Sequence, residues 1–249
     1  MPARSWTDLT DTIRVCHSSK YLTASTVLRR DDTVVLVDPA WTPAELASLA
    51  TDLAGWQLRV TAGFSTHAHH DHLLWHPGFG PAPRYASVGA TALASKERAA
   101  LVGLLGESFP VELVELMGQV EPVDQQRPTF WPAAELVTHD AHSTGHTAVW
   151  LADERVLLAG DMLSDVELPL PHETGLAAYD DGLTALRPYV EQAEILVPGH
   201  GTPSRAPMDR WLADRRYLDA VLAGTDPDDE RRSDPDMEQA HVATLAMTH

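Results

Sequence analysis

The chain has a single cysteine, Cys16, so no internal disulfide framework can staple it. Arg14 is the one basic neighbour of Cys16 in sequence, and the thiol reads as inert. Only two lysines occur, Lys20 and Lys96, and the 18 Lys plus Arg stand against 36 Asp plus Glu, a formal net charge of −18. Such a surface repels phosphate backbones and anionic lipid, which argues against nucleic acid or a membrane as the main partner. No run approaches the ~18 apolar residues of a membrane-spanning helix. The opening residues MPARSWTDLTDTIRV lack the apolar core and cleavage site of a secretory signal, so a cytoplasmic location is expected. Low-complexity segments and short-period repeats are absent as well.

What remains is ordinary globular composition, 44% hydrophobic and 22% charged, over 249 residues, enough chain to bury a core. Strand-like and helix-like runs alternate. Tyr21 to Leu28 reads as a strand, Asp31-Asp32 as a turn, and Val34 to Val37 as a short apolar strand buried on both faces. Thr42-Pro43 opens a helix with Glu45 completing a capping box, and Leu46, Leu49, Leu53 and Trp56 form its apolar stripe. Leu58 to Phe64 returns to strand, Val88 to Leu105 has helical spacing, and Glu135 to Thr138 is a strand. Thr147 to Leu158 reads as a hairpin turning at Asp153-Glu154. Asp181 to Val190 is helical, Ile195 to Val197 is a strand, and Pro207 to Leu222 is a helix ended by Gly224. The acidic run Asp226 to Glu238 reads as a solvated linker or loop, with a short helix from Pro235. The pattern predicts one mixed α/β domain over 1–224 and an acidic C-terminal extension over 225–249.

The 13 histidines are the excess in this composition. Residues 66–72 read Thr-His-Ala-His-His-Asp-His, an H-x-H-x-D-H pattern of His67, His69, Asp71 and His72. It follows the strand ending at Phe64 and precedes the helix-like Leu73-Leu74-Trp75. His67 and His69, two residues apart, share a side in extended chain, while Asp71 and His72 lie past a turn and can face a second ion. Neutral imidazole suits zinc, and carboxylate oxygen suits zinc or manganese. Three more positions sit at strand boundaries with glycine beside them: His146 in His-Ser-Thr-Gly-His-Thr, Asp161 in Leu-Leu-Ala-Gly-Asp and His200 in Val-Pro-Gly-His-Gly.

The ordered set THAHHDH, HSTGHT, LLAGD and VPGHG, with Leu36-Val37-Asp38-Pro39 upstream, resembles the metallo-β-lactamase fold superfamily of hydrolases over residues ~20 to 202. The resemblance implies a four-layer αββα sandwich with a dinuclear metal site at one edge. It implies that His67, His69 and His146 hold the first metal, that Asp71, His72 and His200 hold the second, and that Asp161 bridges them. Asp38 would orient a ligand or the loop behind it. The metals would be two zinc ions, with iron or manganese as alternatives in one or both positions. Asp71 and Asp161 are then the catalytic carboxylates, Asp71 accepting a hydrogen bond from a metal-bound hydroxide. Thr66 and Ser65 are candidate donors behind the ligands. His70 fills a variable position, His142 could line the pocket or stabilise a leaving group, and His76 could lie near the metal edge. Leu73-Leu74-Trp75 occupy positions where many superfamily members carry glycine.

Within that superfamily, Asp161 stands where one large class of true β-lactamases has cysteine. His69 stands where the flavodiiron branch has glutamate, and the low lysine content disfavours the nucleases. Glyoxalase II-like thioesterases and quorum-quenching lactonases share the seven positions. Only 49 residues follow His200, short for the helical region in which glyoxalase II holds glutathione. The expectation is a zinc hydrolase acting on a small ester, thioester or lactone. The alternatives are a mononuclear iron dioxygenase of the persulfide type and a non-catalytic binding module. The loops Trp75 to Pro83 and Leu163 to Tyr179 are candidates for choosing substrate. Leu168, Leu170 and Leu176 suggest an apolar substrate part.

Overall fold

The computed structural model describes residues 5–39, 41–107, 109–131, 133–171 and 174–246. Contacts divide the chain into two compact units, Met1–Pro132 and Ala133–His249. Each unit combines one sheet with helices.

The first unit runs β1 (Trp6–Asp8), β2 (Ile13–His17), β3 (Ala24–Arg30), β4 (Thr33–Val37), α1 (Pro43–Gly55), β5 (Arg59–Phe64), β6 (Arg84–Ser87), α2 (Val88–Lys96), α3 (Arg98–Leu105), α4 (Val111–Leu116) and β7 (Glu121–Val123). Its seven strands lie in sequence order. The first four are antiparallel, joined by short hairpin connections, and β4 to β7 are parallel. Parallel neighbours need long crossovers, normally helical. The crossovers β4–β5 and β6–β7 are helical, whereas between β5 and β6 the only helical element is a 3-10 turn, Pro77–Phe79. The helix start expected at Leu73 is therefore not formed. Leu73, Leu74 and Trp75 instead sink into the core with Leu36, Leu46, Leu49, Leu53, Phe79 and Met117. The run Val88 to Leu105 forms two helices, because the backbone breaks at Glu97, which ends α2 and starts α3.

Helix α1 forms as its sequence predicts. The Thr42 hydroxyl accepts from Glu45 N, and the Glu45 carboxylate accepts from Thr42 N at 3.1 Å. The same carboxylate accepts from Ser18 Oγ at 2.7 Å and from Ser19 N at 2.8 Å, tying the β2–β3 connection to the helix. Trp56, the last residue of the expected stripe, is the C-cap and stands edge-on to Trp6 with ring centres 5.0 Å apart.

The second unit runs β8 (Ala134–His139), β9 (His146–Leu151), β10 (Val156–Gly160), α5 (Gly175–Val190), β11 (Ile195–Pro198), α6 (Pro207–Leu222) and α7 (Pro235–Ala246). The sheet order is β11-β10-β9-β8, with β10 and β11 parallel. Leu157, Ala159, Tyr179, Leu183, Leu186, Leu196, Trp211 and Leu218 form its core. The acidic run 226–238 is not a solvated linker. Glu230–Ser233 forms a 3-10 turn, and Arg231 is buried against Asp214 at 2.6 Å and Asp229 at 2.8 Å. Sequence composition registers the excess of acid but not the pairing of Arg231 with Asp214 and Asp229 and of Arg232 with Asp226 and Glu238. Leu168 packs on Tyr217 and Val221, with Leu170 and Leu176 beside them. These leucines serve the packing of this unit, which removes the expected argument for an apolar substrate part.

Two predictions follow the packing. Burial works to raise the Glu45 carboxyl, but the hydrogen bonds from Ser18, Ser19 and Thr42 outweigh it and hold the group at about 2, against an ordinary 4.5. Because the folded value is the lower one, this stabilisation is present above about pH 4.5 and fades as the pH falls toward 2. The site is partly exposed, so Glu45→Gln should cost only ~1 kcal/mol, about 2–4 °C in Tm, at neutral pH. The deficit should shrink in acid, as thermal melts across pH will read. At Gly63 an added Cβ would strike the ring of Trp75. Gly63→Ala should cost ~1–3 kcal/mol in urea unfolding, because the ring is packed on all sides.

Candidate metal centre

In the first unit the centre is built on the turn that follows β5. Asp38, just past β4, has left-handed backbone with φ of +47° and is 3% exposed. Its N–H donates to Phe64 O at 3.0 Å, locking the ends of two neighbouring parallel strands together. Its carboxylate accepts from Thr66 N at 2.9 Å and Thr66 Oγ1 at 2.7 Å, and His72 Nδ1 lies 3.0 Å from Oδ2. Thr66 Oγ1 is also 3.0 Å from His67 Nδ1. Both histidines are fully buried, with Thr66 set against the Nδ1 of His67 and Asp38 against that of His72. His67 Nε2 lies 2.9 Å from His69 Nδ1, and His72 Nε2 lies 3.5 Å from Asp71 Oδ2. The His72 N–H donates to His69 O at 3.1 Å and closes the turn. Thr23 Oγ1 donates to Asp71 Oδ2 at 3.2 Å.

The turn therefore brings together His67, His69, Asp71 and His72, the four residues that the H-x-H-x-D-H pattern singles out. Asp38 and Thr66 stand behind them as orienting groups. Ser65 takes part through its backbone, donating to Tyr85 O at 2.9 Å. His70 stands edge-on to Trp41 with ring centres 5.1 Å apart. His76 caps the 3-10 turn, its Nδ1 accepting from Gly78 N at 3.0 Å, and burial lowers its pKa.

In the second unit Asp161 follows β10 directly. His200 Nε2 is 3.2 Å and His142 Nε2 is 3.5 Å from Asp161 Oδ2. All three residues are more than nine-tenths buried. His146 reaches the backbone of Asp161 instead, its Nε2 accepting the Asp161 N–H at 3.0 Å. That placement differs from the ligand role expected for His146, and His142 is the imidazole beside the carboxylate. The two histidines are four residues apart around Gly145, and His146 begins β9 while His142 lies in the loop before it. The repeated histidine was the sequence signal for this choice, and spacing alone does not say which ring turns to Asp161. His139, which sequence reasoning passed over, stacks on His146 with ring centres 4.9 Å apart, and burial lowers its pKa to about 4 despite nearby Asp140. Gly199 is required here: a Cβ would collide with Asp161 Oδ1.

The donor sets suit a divalent cation. Each unit gathers buried imidazole nitrogens and carboxylate oxygens at close range, the ligand types of zinc, iron and manganese. Buried like-charged or lone-pair-bearing groups held this close gain from a cation between them.

A family model for the metallo-beta-lactamase superfamily matches residues 20–203, and the chain belongs to that superfamily. Among solved structures it is similar to a beta-lactamase domain protein from Burkholderia ambifaria, with a TM-score of 0.67 and 20% identity over 89% of this chain and 78% of that one. It is similar to a metallo-beta-lactamase from Pontibacter korlensis, with a TM-score of 0.64 and 16% identity over 85% and 98%. It is also similar to one from Erythrobacter litoralis that carries beta mercaptoethanol in its active site, with a TM-score of 0.63 and 17% identity over 85% and 96%. At these identities the likeness shows the mixed α/β fold of the metallo-β-lactamases. Among the described residues no helix is long and apolar enough to cross a membrane.

Asp38 sets the orientation of the turn without being a ligand. Asp38→Ala should lower zinc affinity ~10–100-fold, measured by chelator competition, with Thr66→Val giving a smaller loss in the same assay.

Proposed function

We propose that this protein is a dinuclear zinc-dependent hydrolase of a small ester, thioester or lactone. The observation that carries the reading is the backing of His67 and His72 by Thr66 and Asp38. With each Nδ1 set against its backing group, Nε2 is the nitrogen that would face a bound cation. Superfamily members are mostly metal-dependent hydrolases, which supports the reaction class. In the first unit His67, His69, Asp71 and His72 would serve as ligands, and in the second unit His142, Asp161 and His200 would do so. His146 moves from the ligand set to a supporting position, because its Nε2 already accepts the Asp161 amide.

When bound, the pair of ions would supply a hydroxide near neutral pH and polarise the substrate carbonyl. The chain's own residues do the rest. Asp71 is held by Thr23 through Oδ2 and can accept a hydrogen bond from the attacking group. Thr66 and Asp38 keep His67 and His72 in one tautomer. His146 and Gly199 hold Asp161 close against the end of β11. No cysteine or serine nucleophile is needed, which agrees with Cys16 being buried with its Sγ 3.9 Å from Ser25 O.

The test is metal analysis of the purified protein together with a substrate screen over esters, thioesters, lactones and phosphodiesters. Two zinc ions per chain and turnover of a carbonyl substrate are expected. One iron per chain with oxygen consumption would overturn the reading. Separately, His142→Ala should abolish binding of one ion and reduce turnover at least ~100-fold, whereas His146→Ala should retain both ions with weaker affinity. Equal loss of stoichiometry in both variants would return His146 to the ligand set.

A further inference from the structure

One carboxylate near Asp161 has no part in the ligand set above. Glu167 lies six residues beyond Asp161, and an oxygen of each carboxylate and a ring nitrogen of His200 all fall within 4.8 Å of one another. Ligand atoms around a single tetrahedral zinc stand about 3.4 Å apart at bonds of about 2.1 Å, so a closing of at most about 1.4 Å brings all three to one ion. Two carboxylates at this separation repel each other unless a cation or a proton lies between them.

The loop that returns Glu167 to Asp161 is built rather than incidental. Leu163 is held in left-handed backbone at φ of +61°, costly for a bulky side chain, and its N–H is taken by Asp214 Oδ2 at 3.0 Å. The buried Ser164 hydroxyl accepts from Val166 N and Glu167 N, each at 3.0 Å, and donates to His200 O at 2.7 Å. One hydroxyl thereby fixes the start of Glu167 relative to His200. From the C-terminal segment, Arg231 Nη1 donates to Ser164 O at 3.1 Å, Glu167 O at 2.8 Å and Asp214 Oδ1 at 2.6 Å. Asp229 fills the rest of the guanidinium. Burial works against the Arg231 charge, but Asp229 and Asp214 outweigh it and raise its pKa.

We infer that Glu167 is a further ligand of the ion held by Asp161 and His200, positioned by Ser164 and by Arg231 of the C-terminal segment. The inference rests on the metal-dependent reading above and extends it by one donor. A further carboxylate also makes a harder site, more tolerant of manganese or iron.

The test is zinc binding by the full-length protein, read as stoichiometry and dissociation constants from chelator competition. Thermal melts of the metal-free protein serve as the folding control. Glu167→Gln keeps the side chain's shape and should weaken one of the two ions at least tenfold, leave the other unchanged, and leave the metal-free melting temperature within 2 °C of wild type (about 1 kcal/mol or less). Asp228→Asn removes the same charge from an exposed position of the same unit and should leave both affinities unchanged. If Glu167→Gln binds both ions as wild type does, or if Asp228→Asn weakens binding equally, the assignment of Glu167 fails while the metal-dependent reading stands. If wild-type protein binds no divalent metal, both fail together.

Discussion

The carboxylate of Asp38 is the interaction on which the first unit's histidine-bearing turn depends. It satisfies the Thr66 amide and hydroxyl and stands against His72 Nδ1, while its own amide closes onto β5. Asp is among the few side chains that tolerate left-handed backbone, and the bend at this residue is what carries the carboxylate across to the next strand's end. A parallel crossover would ordinarily be a helix. Here an ordered turn replaces it, and the turn keeps its shape because a buried charge receives several donors at once. Beneath it Leu73, Leu74 and Trp75 anchor the turn in the core, with Gly63 making room for the indole.

The second unit achieves order by different means. Asp161 leaves β10 into a segment where Gly199 permits close approach and His146 takes the aspartate's amide. The loop beyond it would be a poor platform by itself. Its carbonyls at Ser164 and Glu167 are gathered by Arg231, which arrives from a run whose composition reads as a solvated linker or loop. A buried guanidinium is tolerated because Asp214 and Asp229 both face it, and removing any member would leave an uncompensated charge. The acidic tail is in this sense a structural part of the second unit.

Much of the fold was legible because local signals agreed with tertiary structure. Thr42, Pro43 and Glu45 specify the start of α1 by backbone chemistry alone, and the β-branched residues in the apolar runs at Val34 to Val37 and Ile195 to Val197 favour buried strands. The short strands β1, β6 and β7 escaped notice, since three or four residues carry no measurable period. The helix expected after His72 failed because Leu73-Leu74-Trp75 looks the same to a periodicity argument whether it lies in a helix or in a buried extended stretch.

For the candidate metal-site residues the division is similar. Sequence alone determined the donor types and their clustering, since H-x-H-x-D-H places four of them on one short turn whatever surrounds it. It also led to Asp161 and His200, each beside a glycine at a strand end. Only the tertiary structure shows His142 Nε2 beside the Asp161 carboxylate and His146 Nε2 on its amide, because two rings four residues apart have no direction until β9 and Asp161 fix them. It alone brought Glu167 back toward Asp161 and carried Arg231 to the loop between them, contacts made by folding segments that are distant or irregular in sequence, where no local pattern encodes the approach.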